Sequence, residues 1–101
     1  MRCLGGLNGA GILTCGDETV ARAGYDFDGF LSKLGQVTGC GEIRTSPEAL
    51  RVVFGRKDLR LLTDDGRILS LRFSEKRLRS ASDAAHVDVV GGLPPASGWR
   101  H

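Results

Sequence analysis

Residues 50–73, LRVVFGRKDLRLLTDDGRILSLRF, alternate apolar and polar side chains and are interrupted twice by turn-forming residues. A period of two is the pattern of a strand with one buried face, because successive side chains point to opposite sides of a sheet. Gly55-Arg56 suits a two-residue hairpin with glycine first. That turn sets Phe54 opposite Lys57, Val52 opposite Leu59 and Leu50 opposite Leu61. At the second interruption, a two-residue Asp65-Gly66 loop would turn Asp58 and Arg60 toward Phe73 and Leu71. A three-residue loop, Asp64-Asp65-Gly66 with the glycine left-handed, instead sets Leu61 opposite Leu69 and Leu59 opposite Leu71, so the side-chain period selects it.

The expected result is a three-stranded meander over residues 48–73. Leu50, Val52, Phe54, Leu59, Leu61, Leu69, Leu71 and Phe73 share its apolar face; Arg51, Val53, Asp58, Arg60, Ser70 and Arg72 lie on the other, with Asp58 opposite Arg72. Three strands with one apolar face need cover from another element.

The flanks are expected to supply that cover. Residues 11–15 and 18–27 read as a second hairpin across Gly16-Asp17, with Cys15 meeting Glu18, Leu13 meeting Val20 and Ile12 meeting Ala21. Phe27, Phe30, Leu31 and Leu34 fit a helical stripe, but Gly29 interrupts it and Tyr25 and Phe27 continue the strand alternation. The preferred reading is a strand to about Phe30 and a turn over residues 32–35, with a helix at 27–34 as the α+β alternative. In residues 36–45, Val37, Gly39, Gly41 and Ile43 fall on one side, and glycines inside a strand mark bulges, corners or close backbone approach. Ser46-Pro47 ends that element. Residues 74–85 suit a short capped helix or a loop, and residues 86–90, HVDVV, a last strand. Residues 1–9 read as a flexible N-terminal arm, 10–93 as a single β domain and 94–101 as a disordered tail. The fold class is therefore mainly β, a small antiparallel barrel or curled sheet of six to seven strands built on the 48–73 meander.

Composition and motifs narrow the chemistry. A chain of 101 residues can bury one core. No apolar run approaches the ~20 residues of a membrane span, and no signal-peptide core stands at the start, so a soluble cytoplasmic protein without membrane contact is expected. Cys3, Cys15 and Cys40 are odd in number and none has C-x-x-C spacing, which favours buried thiols over a disulfide framework or a zinc site. The glycine run at residues 5–11 precedes a short strand rather than a helix and lacks the lysine of a phosphate loop. Asp26-x-Asp28-Gly29 opens like a calcium loop, but the later ligands are missing. His86 and Asp88 share a strand face without a third ligand at local spacing. The serines and cysteines lack the context of a nucleophile, so no catalytic residues, metal or cofactor are expected.

Charge is uneven. Residues 1–50 hold 4 basic and 6 acidic side chains, 51–79 hold 9 and 4, and 80–101 hold 1 and 2. The positive charge therefore gathers on the meander, where Arg51, Arg60 and Arg72 would share the outward face, with Arg56 and Lys57 at its rim. Lys76, Arg77 and Arg79 would extend the field. This makes a non-enzymatic binding module for an acidic or nucleic-acid partner the leading expectation. That face offers no aromatic stacking platform, which counts against single-stranded nucleic acid. The alternative is protein interaction or self-assembly as a homo-oligomer through Val53, Leu62 and Ile68, since Leu62 and Ile68 face each other on the outward side. A ligand-holding barrel is a third possibility, with the interior of so small a chain expected to be filled by its own side chains.

Overall fold

The structure is a computed structural model describing residues 2–77 and 83–99. Its elements are β1 (Arg2–Cys15), β2 (Glu18–Leu31), β3 (Val37–Arg44), α1 (Pro47–Val53), β4 (Leu59–Thr63), β5 (Ile68–Phe73) and β6 (Ala84–Gly91), followed by a 3-10 turn at Ala96–Gly98. All adjacent strands are antiparallel. They run in the order β1-β2-β3-β6-β5-β4, and β4 closes on β1. The molecule is a closed six-stranded barrel made of two meanders, β1-β2-β3 and β4-β5-β6, joined by the one short helix. Closure pairs β4 with residues 11–15 of β1 and so covers part of the edge that a meander leaves to water.

The barrel interior takes alternate residues from every strand. Leu13, Phe27, Ile43, Leu61, Leu69 and Val87 are fully buried there, and the rings of Tyr25 and Phe27 stack with centroids 5.2 Å apart. The Asp64-Asp65-Gly66 loop forms as expected, with Gly66 left-handed at φ 93° and Leu61 opposite Leu69. The strand over 25–30 and the turn after it also form: Ser32 N–H donates to the Gln36 carbonyl and Gly35 N–H to that of Ser32. The helix considered at 27–34 is thus absent, and the fold is mainly β.

The first strand of the expected meander is overturned. Residues 47–53 are helical because their termini are specified. Ser46 Oγ caps the helix by accepting from Ala49 N–H at 3.2 Å, Pro47 opens it and Glu48 lies in the first turn. A fixed φ and a missing N–H suit proline to a first helical turn, and a serine cap with an acidic neighbour satisfies the free amides there. Ala49, Leu50 and Val53 form the buried stripe, and α1 packs against β2 and β6. Gly55-Arg56 therefore follows a helix, with Arg56 N–H bonded to the Val53 carbonyl, and is not a hairpin. The alternation misleads at one place in particular: Val53, assigned outward, is 0% exposed, and Val52, assigned inward, is 56% exposed.

Three further expectations change. The glycine-rich residues 2–9 are the first half of β1, paired with β2 along their length. A register shift after Leu13 sets Leu13 opposite Ala21 and Ile12 opposite Arg22, leaving Val20 as the extra residue of a bulge. The segment after β6 is ordered through Trp99: its ring is buried, its Nε1–H donates to the Pro94 carbonyl at 3.1 Å, and it lies on Gly29. A Cβ at Gly29 would stand 2.4 Å from that ring, and Leu93 covers Gly39 in the same way at 3.1 Å. The glycines of β2 and β3 thus make room for the returning chain.

Candidate functional site

The register decides which side chains meet on the outside of the barrel. Ile12 stands opposite Leu62, and Leu62 opposite Ile68, so one cross-strand row runs over β1, β4 and β5. Leu62 is 41% exposed and Ile68 57%, and Ile12 is half-buried. The expected pair Leu62–Ile68 is present, and Ile12 extends it. Val53, the third residue assigned to this interface, is in the core. Ile12 is absent from the sequence-based set because its neighbour on β4 becomes visible only when the barrel closes.

Polar groups border this row on both sides. Beyond Ile12, Arg22 on β2 makes a bidentate pair with Asp64, Nη2 to Oδ2 at 2.5 Å and Nη1 to Oδ1 at 3.2 Å. On the other side Arg60 lies between Thr14 and Ser70, and Arg72 follows two residues along β5. Diagonal neighbours on adjacent strands are ~7–8 Å apart, so the two guanidiniums can act on one partner. Arg72 stands opposite Asp88 rather than Asp58, with no ion pair between them. Among the described residues, Arg22, Arg44, Arg56 and Arg67 each hold a carboxylate within 4 Å, and Arg60 and Arg72 hold none.

The expected five-residue basic face is divided. Arg51 is exposed on α1 and is no neighbour of Arg60 in the sheet. Arg56 is committed to Asp58, with Nη2 to Oδ2 at 3.2 Å, and Lys57 lies exposed in the link between α1 and β4. Lys76 and Arg77 are exposed after β5, and Arg79 lies outside the described residues. The residues that remain together on the outer sheet are Arg60 and Arg72.

The opposite side of the barrel is acidic. Asp28, Cys40 and Asp88 form one cross-strand row and Asp26, Glu42 and His86 the next. Burial and then the carboxylates of Asp88 and Asp28 raise the Cys40 thiol above its usual range, and burial raises that of Cys15. Cys15 is the buried thiol expected, whereas Cys40 is only half-buried on the outer face and Cys3 is exposed, because its place near the start of β1 is not covered. A groove of ≈790 Å³ beside Cys40 has apolar walls from Phe30, Val37, Val89 and Val90. His86 Nδ1 is 2.6 Å from Ser74 Oγ, and no group of three or more metal-ligating side chains occurs among the described residues. Compared with protein-family models, curated proteins and solved structures, the chain matches none.

Proposed function

We propose that the chain is a non-catalytic binding module that docks an acidic protein surface on the outer face of β1, β4 and β5. The supporting observation is the apolar row Ile12, Leu62 and Ile68 with Arg60 in the next row and Arg72 beyond it on β5, two arginines with no carboxylate partner among the described residues. An apolar centre with a charged rim is the anatomy of a protein interface: the centre supplies burial, and the rim supplies orientation and association rate. A partner with carboxylates around an apolar patch complements both parts. Nucleic acid would use the arginines and leave the apolar row without a role, since its backbone contacts are electrostatic.

Capture from cell extract at low and high salt separates these readings. Wild type, Leu62→Ser/Ile68→Ser and Arg60→Glu/Arg72→Glu forms are compared. Loss of the same bound protein in both double variants supports the proposal. Retention of that protein by both sinks it, and salt-sensitive retention of nucleic acid that fails only in the arginine variant favours the nucleic-acid reading.

A further inference from the structure

β1 is longer than its neighbour on one side. It pairs with β2 over its whole length but with β4 only from Gly11 to Cys15, because β4 ends at Thr63 and the chain turns away. The Ala10 carbonyl accepts from Asp64 N–H at 2.9 Å, which shows that residue 10 points its main-chain groups toward the β4 side. Backbone direction alternates along a strand, so Asn8 and Gly6 point theirs the same way. No strand lies beside them there among the described residues, and both are exposed.

What lies there is a cleft of ≈430 Å³. Gly6, Asn8, Asp65, Arg67, Pro94 and Trp99 line it. Strands repeat at ~3.3 Å per residue, sit ~4.8 Å from their neighbours and occupy sheets ~10 Å thick, so this volume holds about three residues of extended chain. That is the length of the free edge from Gly6 to Asn8. Arg67 brings positive charge to the cleft: its Nε has no hydrogen-bond partner among the described residues, and its contact with Asp65, Nε to Oδ2 at 3.6 Å, is an ion pair too long for a hydrogen bond.

We propose that this cleft is a second binding site, which takes an extended, proline-free peptide strand from a partner protein. The guest continues the line of β4, pairs antiparallel or parallel with the main chain of Gly6 and Asn8, and presents an acceptor to Arg67. Strand addition of this kind derives affinity from backbone bonds and tolerates varied side chains. A second copy of the barrel fits the cleft poorly, because its own β1 would arrive with β2 already attached and with its own Pro94 and Trp99 alongside. The site is independent of the apolar row on the outer face.

The test uses the full chain, an acetylated and amidated Thr-Val-Thr-Val-Thr peptide, and the same peptide N-methylated on alternate residues. Trp99 is the sole tryptophan and lines the cleft, so its emission reports occupancy. Saturable change in that emission, with amide shifts centred on Gly6 and Asn8, is expected for the first peptide and at least a tenfold weaker response for the second. Asn8→Pro removes an N–H that lies outside the β1-β2 ladder, a position where an edge strand accepts proline. This variant is expected to melt like wild type and to lose at least tenfold in affinity. Equal binding of the N-methylated peptide, equal binding by a folded Asn8→Pro form, or no response at millimolar peptide overturns the proposal. Concentration-dependent shifts of Gly6 and Asn8 without peptide also overturn it, by assigning the edge to a second copy. If Asn8→Pro fails to fold, the N-methylated peptide alone decides.

Discussion

Val52 and Val53 are adjacent, chemically identical and structurally opposite. In a strand one faces in and the other out, and so they do in the helix, but with the assignments exchanged. Val53→Ala should cost roughly 2 kcal/mol, from lost burial and the small cavity left behind. Val52→Ala should stay within about 0.5 kcal/mol, as exposed substitutions do. Denaturant unfolding of the two variants measures this, and the reverse order would restore the strand. Asp65 is a second residue whose role depends on its neighbours. The Thr63 hydroxyl donates to its carboxylate and, with Arg67 nearby, holds its pKa below the usual range. A lowered folded-state pKa means that stability is present above the unfolded value and is lost as pH falls through the folded one. Thr63→Val should therefore differ most from wild type near neutral pH, with the gap narrowing below the normal carboxylate range. Equal gaps at pH 7 and pH 2 in urea melts would contradict this.

At the scale of elements, the turns at 16–17 and 64–66 were legible, and the helix over 47–53, with the false hairpin at Gly55-Arg56, was not. Gly66 and Gly16-Asp17 announce their reversals because few residues accept the required backbone angles. The helix signals were present in Ser46, Pro47 and Glu48, but Arg51 to Phe54 also fit an alternating strand, and seven residues are too few for one period to exclude the other. Capping chemistry outweighed alternation here. In β3 the glycines do what was expected of them: a Cβ at Gly41 would lie 2.0 Å from the Asp26 carbonyl oxygen, opposite Phe27. Gly41→Ala should accordingly cost several kcal/mol by forcing β2 and β3 apart. Gly35→Ala, in an open turn at φ 81°, should cost only about 1–2 kcal/mol of backbone strain. Thermal melts of the pair test whether strand spacing or turn geometry is the stricter constraint.

For the whole molecule, the largest departure lies at the two ends of the chain. Residues 2–9 lack the apolar density of an independent strand, and residues 94–99 lack any periodicity, so each looks loose alone. Together they are ordered: Leu4 and Trp99 are both buried, and Trp99 occupies the space above Gly29. Trp99→Ala should therefore destabilise the barrel by about 3–5 kcal/mol, the range for a large buried aromatic. A disordered tail would show no change, and the difference is read directly from unfolding curves. The candidate interface has the same logic. Leu62 opposite Ile68 was readable from one hairpin, but Ile12 and the separation of Arg51 from Arg60 depended on how distant segments met.

The residues alone were sufficient for the mainly β class, the 64–66 turn, the Leu61–Leu69 register and the outward Leu62–Ile68 pair. Each rests on side-chain period or on a local backbone angle, which neighbouring residues settle between themselves. Closure of β4 on β1, the helix over 47–53, the docking of Trp99 and the free edge at Gly6 and Asn8 were settled by the tertiary structure. They arise from contacts between residues far apart in the chain, where shape and strand length decide which of several locally acceptable conformations can bury its apolar groups.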